Sequence, residues 1–349
     1  MLLQEQVPLA PYTTFGIGGP ARWFVEAGGE ESVVEAVRFA REKNVPLFVL
    51  GGGSNLLVSD QGFPGLVLHI ALRGIQQEGS RFRVAAGENW DRFVSHAIGR
   101  GYGGIECLAG IPGTVGGTPV QNVGAYGQEV ADTIESVRVL ERNNLNFSEL
   151  RASDCGFSYR RSIFNSTQRD RFIVTRVDYA LRSEALPVLQ YPDLKRFFQD
   201  RAETPTLAET AAAVREIRHR KGMLLVEGEP DCRSAGSFFK NPIVPQAQYD
   251  EIAARASGPV PSFAAHPGFV KIPAAWLVEH AGFQKGFTLG AAGISSRHTL
   301  ALINRGGATA GDVLALRDRI AGTVESQFGI PLEPEPVFVG PENHSSSTD

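Results

Sequence analysis

The sequence predicts an α+β protein of two or three domains. Apolar positions recur with period two in some stretches and at helical spacing in others, two glycine-rich loops punctuate them, and 349 residues exceed what one compact core holds. A hydrophobic content of 42% with 21% charged residues is that of an ordinary soluble globular chain, and a net charge of -4 offers nucleic acid no basic footprint. No apolar run approaches the roughly 18 residues that span a bilayer. Residues 1–6 lack the basic start and apolar stretch of a secretion signal, so a cytoplasmic protein without a membrane partner is expected. Cys107, Cys155 and Cys232 lie far apart and the seven histidines form no ligand pair, which indicates neither a disulfide framework nor a metal.

Residues 21–27 alternate as a strand, 31–43 carry Val33, Val34, Val37 and Ala40 at helical spacing, and 46–50 form a short apolar strand. The loop Gly51-Gly52-Gly53-Ser54-Asn55 follows, and 56–58 resume an extended pattern. Consecutive glycines either turn several amides inward into a nest for phosphate or simply make a turn. No Gly-Lys-Ser/Thr follows, and Leu56 stands where a dinucleotide fingerprint needs its third glycine, so neither common nucleotide motif applies.

Strand, strand and helix at 66–70, 82–86 and 90–99 lead into residues 110–127, where six glycines and two prolines in eighteen residues exclude a regular helix or central strand. This loop carries little charge. It either lets backbone lie against a large planar cofactor or makes a buried, bulged connection. Residues 134–139 and 172–181 read as strands around a segment that sets Tyr159 and Arg160 among apolar residues. A helix at 207–220 ends in Arg218-His219-Arg220-Lys221 before Gly222, which is either routine helix termination or an anion clamp at a domain boundary. A helix at 271–282, two short strands within 286–304, a long helix at 310–328 and a strand at 337–339 complete the map.

The densest chemistry lies in Ser234-Ala235-Gly236-Ser237-Phe238-Phe239-Lys240-Asn241-Pro242. Small residues admit a flat ligand, Ser237 offers a proton, two phenylalanines exclude water, and Lys240 and Asn241 are polar anchors. The same residues would also suit a tight glycine turn entering a buried strand.

Taken together, Tyr12-Thr-Thr-Phe-Gly16, the Gly51 to Asn55 loop, Ala86-Gly-Glu88, Ile111-Pro112-Gly113, Gln121-Asn122-Val-Gly124-Ala125-Tyr126-Gly127, Phe157-Ser-Tyr159-Arg160, the Ser234 to Pro242 segment and Leu332-Glu-Pro-Glu335 follow one order. That series resembles the bacterial UDP-N-acetylenolpyruvoylglucosamine reductase family, in the subclass with a substrate-closing tyrosine loop, over nearly the whole chain. The resemblance implies a flavin fold of the vanillyl-alcohol oxidase and p-cresol methylhydroxylase type. FAD-binding subdomains would occupy 1–70, with the strand at 333–340, and 71–217; a separate α+β substrate domain would occupy 218–330, and 341–349 would be a disordered tail. FAD would rest on Gly51, Gly52, Gly53, Ser54 and Asn55 and along Ile111, Pro112, Gly113, Gln121, Asn122, Gly124, Ala125 and Tyr126.

The resemblance also implies that NADPH is co-substrate, that the other substrate is a UDP-sugar bearing an enolpyruvyl ether, and that the product belongs to peptidoglycan synthesis. Hydride addition to that ether pushes charge onto its carboxylate, so the site needs a cation and a proton donor. The family pattern assigns the first task to Arg160 with Glu335 and the second to Ser237. Tyr159, Tyr191, Lys221, Asn241 and His298 would meet the substrate. A different FAD oxidase or dehydrogenase of this fold commonly tethers FAD through His or Cys, which neither glycine loop contains. A non-catalytic nucleotide-sugar sensor would have a broken Arg160, Ser237 and Glu335 set, and all three are present. A monomer is expected, because no strongly apolar exposed helix stands out.

Overall fold

The computed structural model describes residues 1–341. Apart from Pro341, the tail expected to be disordered at 341–349 lies outside the described residues. The chain groups into two compact units, one of residues 1–7, 21–53 and 63–220, the other of 8–20, 54–62 and 221 onwards.

In the first unit, strands Pro20–Ala27 and Leu47–Leu50 flank Phe63–Ile70, parallel to it on either side, and Leu3–Pro8 adds an edge. The crossover between parallel strands is helix Glu30–Glu42, which buries Val33, Ala36, Val37 and Ala40, the stripe its spacing predicts. A five-stranded antiparallel sheet follows in the order Phe147–Arg151, Ile134–Glu141, Phe172–Ala180, Arg81–Ala85, Ile75–Glu78. Helix Trp90–Ile98, capped by the Asn89 side chain, buries Trp90, Phe93, Val94 and Ala97. One apolar cluster runs without a break from Val25, Val37 and Leu68 to Phe82, Phe93, Val137 and Val177. The boundary expected at 70 and 71 therefore does not divide the core.

In the second unit, Thr288–Leu289, Ala292–Ile294 and Leu302–Asn304 form one antiparallel sheet, where two strands were expected, and Ile243–Pro245, Phe269–Lys271 and Phe263–Ala264 form another. Helix Ala310–Phe328 begins at a Thr309/Asp312 capping box and buries Val313, Leu316, Ile320 and Val324. Strand Val337–Val339 pairs in parallel with Leu56–Val58. The helix expected from 271 starts only at Ala274, because Lys271 closes a strand and Pro273 holds the residue before it extended. Segment 54–62 joins this unit through Asp60, whose carboxylate accepts the Ala310 amide at 2.8 Å and the Gly311 amide at 3.2 Å. Among the described residues no helix is long and apolar enough to cross a membrane.

Candidate active site

The first unit presses its two glycine loops together. A Cβ on Gly52 would stand 2.5 Å from the Gly113 Cα, closer than any real contact, so only glycine fits there. Beside it the Thr114 hydroxyl is buried without a hydrogen-bond partner among the described residues. The Ile111-Pro112-Gly113 turn is clamped at both ends. Gly110 donates its amide to Asp91 at 2.6 Å and accepts from Arg218 Nε at 3.1 Å, while Gly113 accepts the Trp90 amide at 3.1 Å. Arg215 in turn holds Asp91 at 2.7 Å.

Further along the loop, Gln121 is half-buried and Asn122 is buried. Both carboxamide protons of Asn122 are used inside the chain, to Glu129 Oε2 at 2.7 Å and the Ser158 carbonyl at 3.1 Å, and its oxygen accepts the Ala131 amide at 3.2 Å. The Asn122 carboxamide therefore braces the loop from within. Gly124–Ala125 pair with Gln128–Glu129 in a tight hairpin with Tyr126 at its turn, φ +50°. The Tyr126 ring meets Tyr191 edge to face, centroids 5.3 Å apart. Burial pushes the Tyr126 hydroxyl up to about 12 against the opposing pull of Arg218, so it remains a proton-bearing donor at neutral pH.

Arg160 sits at φ +56°, an uncommon conformation for a side chain of this size that costs about 1 kcal/mol. Its Nη2 donates to the Gly124 carbonyl at 2.9 Å and its guanidinium lies over the Tyr159 ring at 5.3 Å. Tyr159 and Tyr191 are 37% and 38% exposed, open enough to be covered by a ligand. The hairpin, the arginine and the three tyrosines therefore converge on one corner of this unit.

The second unit builds a floor from main chain. Ser234 bridges to Ile303 and Phe239 to Pro334; the Phe238 amide donates to the Leu300 carbonyl at 2.8 Å, and the Phe238 carbonyl accepts the Glu335 amide at 2.8 Å. No strand runs through the segment, although a buried strand was one expectation. Phe238 is fully buried beside Phe15, while Gly236 turns at φ +75° and leaves Ser237 half-buried. No described residue hydrogen-bonds the Ser237 hydroxyl. Glu335 is half-buried one residue across from it, and Asn55 pins the chain there by donating to the Glu335 carbonyl at 3.2 Å. Thr14, whose role sequence alone did not disclose, donates to the Ser234 carbonyl at 2.5 Å and reaches the Ser54 carbonyl at 3.4 Å.

Other residues expected to bind substrate also lie in this unit. The Asn241 oxygen accepts the Ala274 amide at 2.9 Å, capping a helix whose own N-cap, Pro273, has no polar side chain. His298 Nδ1 accepts the Leu300 amide at 3.1 Å, which puts the ring proton on Nε2. Lys221 is half-buried at the end of helix Leu207–Arg220. Arg297 is engaged by Glu229 at 2.7 Å and Asp231 at 3.8 Å, which fastens the 222–233 stretch to its turn.

Family models match the chain in two places: the FAD binding domain over residues 21–144, and the C-terminal domain of UDP-N-acetylenolpyruvoylglucosamine reductase over 229–339. The UDP-N-acetylenolpyruvoylglucosamine reductase of Thermobifida fusca is 44% identical over 349 residues, spanning 96% of this chain and 98% of the relative. The chain belongs to the UDP-N-acetylenolpyruvoylglucosamine reductase family. The Streptomyces coelicolor reductase is likewise 44% identical, with 96% and 90% covered. The crystal structure of the reductase from Thermus caldophilus matches with a TM-score of 0.69 at 30% identity, across 97% of this chain and all of that one. For a reductase of this family, the FAD-domain match takes in both glycine loops, and the C-terminal match takes in Ser237, Asn241, His298 and Glu335. The residues present fit FAD: a glycine crease where a Cβ has no room, with the buried Thr114 hydroxyl awaiting a partner. Thr114 lay within a loop that the sequence marks out, but only the packing shows its hydroxyl to be unpartnered. Asp91 and Arg215, the loop's clamp, carried no sequence signal at all.

Proposed function

We propose that this protein reduces the enolpyruvyl group of UDP-N-acetylenolpyruvoylglucosamine to give UDP-N-acetylmuramate, using NADPH and FAD, for peptidoglycan precursor synthesis. The observation that carries the reading is likeness along 96% of the chain to a reductase of that name, with Arg160, Ser237 and Glu335 all in place. FAD, when bound, would supply the hydride chemistry that links NADPH to the enolpyruvyl double bond.

The chain's own residues do the remaining work. Arg160 pairs with the substrate carboxylate as negative charge builds there, and Glu335 orients it through a hydrogen bond. Ser237 gives its hydroxyl proton to the carbon that hydride addition leaves electron-rich, and water restores the hydroxyl. A hydroxyl without a partner among the described residues suits that task, since no competing bond there has to break. Gly51, Gly52 and Gly53 with Ser54 and Asn55 would cradle the FAD diphosphate, and Ile111, Pro112 and Gly113 with Gln121, Asn122, Gly124, Ala125 and Tyr126 would line its rings. Tyr159, Tyr191, Lys221, Asn241 through its amide, and His298 through Nε2 bind the sugar nucleotide.

A nucleotide-sugar substrate supports a cytoplasmic location. A monomer remains the working state, open to sizing in solution. The test of function is to purify the protein, record a flavin spectrum, and follow NADPH oxidation with and without the enolpyruvyl sugar nucleotide. Yellow protein with substrate-dependent oxidation is expected. Colourless protein that stays inactive with added FAD would overturn the reading.

A further inference from the structure

Glu106 is wholly buried, yet the reaction makes no use of it. Its Oε2 accepts the Gly104 amide at 2.7 Å, and its Oε1 accepts both Gln128 Nε2 at 2.7 Å and the Val188 amide at 3.1 Å. All three partners are donors, and the two carboxylate oxygens accept them all. The adjacent residue completes the arrangement: the Cys107 amide donates to Gln128 Oε1 at 2.8 Å, and its thiol to the Val188 carbonyl at 3.2 Å. Both main-chain groups of Val188 are thus held by two consecutive residues some eighty positions upstream.

That grip falls at an informative place. Residues 184–190 form no helix or strand, Leu186 is 77% exposed, and among the described residues Val188 is the one point where this stretch hydrogen-bonds to the rest of the unit. Three residues on is Tyr191, whose ring packs on Tyr126. Gln128, the other group on Oε1, belongs to the hairpin that carries Gly124 and Ala125. One carboxylate oxygen therefore ties the loop of Tyr191 and the hairpin beneath it to a common point.

We propose that Glu106 is a positioning residue: by pinning Val188 it sets where Tyr191 closes on the sugar nucleotide. This rests on the reading of Tyr191 as a substrate ligand. The carboxylate never touches substrate, so its loss acts on substrate binding and leaves the chemical step alone.

The test uses the FAD-loaded enzyme. Glu106→Gln keeps the shape but puts a donor where one of the three incoming donors must be accepted. KM for the enolpyruvyl sugar nucleotide is expected to rise roughly ten-fold, the size of one lost hydrogen bond to a charged acceptor, with kcat little changed. Hydrogen exchange in the 184–191 peptide should quicken. In a Tyr191→Ala background the same substitution should add less than about two-fold, because groups acting through one another are not additive. An unchanged KM, or an equal rise with and without Tyr191, overturns the proposal. If Tyr191→Ala alone leaves KM unchanged while Glu106→Gln still loosens the peptide, the reading of Tyr191 has failed and the inference with it. Should Glu106→Gln not fold, Val188→Pro removes the single amide while sparing the carboxylate; it should show the same KM rise, and its absence is equally fatal.

Discussion

The loop at 110–127 and the floor at 234–242 are both irregular and glycine-bearing, but side chains take a larger part in holding the loop. In the loop, side chains add to main-chain bonds such as those of Val115 and Gly116 to the Glu88 and Ala86 carbonyls: Asp91 at Gly110, steadied by Arg215, and Asn122 across to Glu129 and Ser158. In the floor, the residues on either side of Ser237 are held main chain to main chain, through Ile303, Leu300, Glu333 and Glu335, with side-chain bonds only towards the ends, from Thr14 at Ser234 and at Lys240 and Asn241. The difference separates fold from chemistry. A segment fixed by its backbone leaves its side chains free to be chosen for reactivity, whereas one fixed by side chains has few to spare.

The largest effect that could break this contrast is at Ser237. Its hydroxyl has no partner among the described residues, so Ser237→Ala should leave the melting temperature and flavin reduction by NADPH intact while slowing reoxidation by the sugar nucleotide at least ~10²-fold. Stopped-flow flavin absorbance reads both half-reactions, and unhindered reoxidation would remove Ser237 from the chemistry. Next comes Asn122→Ala in the loop, which removes the bonds of that buried carboxamide and leaves the half-buried Ala131 amide without its acceptor, and should cost about 1–3 kcal/mol of stability, seen as a lower urea midpoint. A midpoint equal to that of the parent would mean that side chains do not hold the loop. The smallest effect is expected at Lys240, whose ammonium meets the largely exposed Glu333 at 2.5 Å. Lys240→Met should change stability by less than about 1 kcal/mol, since backbone pairing carries the floor. A loss several times larger would put side chains in charge there too.

Much of this was legible beforehand. The stripe Val33, Val37, Ala40 made helix Glu30–Glu42 readable, the apolar spacing of Ala310–Phe328 did the same, and the glycine loops stood out because only glycine tolerates their turns and close approaches. The short pieces were not: Phe263–Ala264 and Thr288–Leu289 are two residues each, too brief for any periodicity to show. At the site, Asn122 and Asn241 turn out to carry structural bonds that residue identity alone does not reveal.

By itself, then, the sequence determined what is local: periodicity sets helix or strand, and a missing Cβ sets where the backbone turns or approaches closely. Tertiary structure alone decided which distant groups meet, because a hydrogen bond joins whatever the fold brings within 3 Å or so and leaves no mark on sequence spacing. Thr14 reaches Ser234 across 220 residues, Asn304 donates to the Phe15 carbonyl across 289, and Glu106 holds Val188 across 82. Burial makes those pairings obligatory, since each polar group withdrawn from water must find its partner inside.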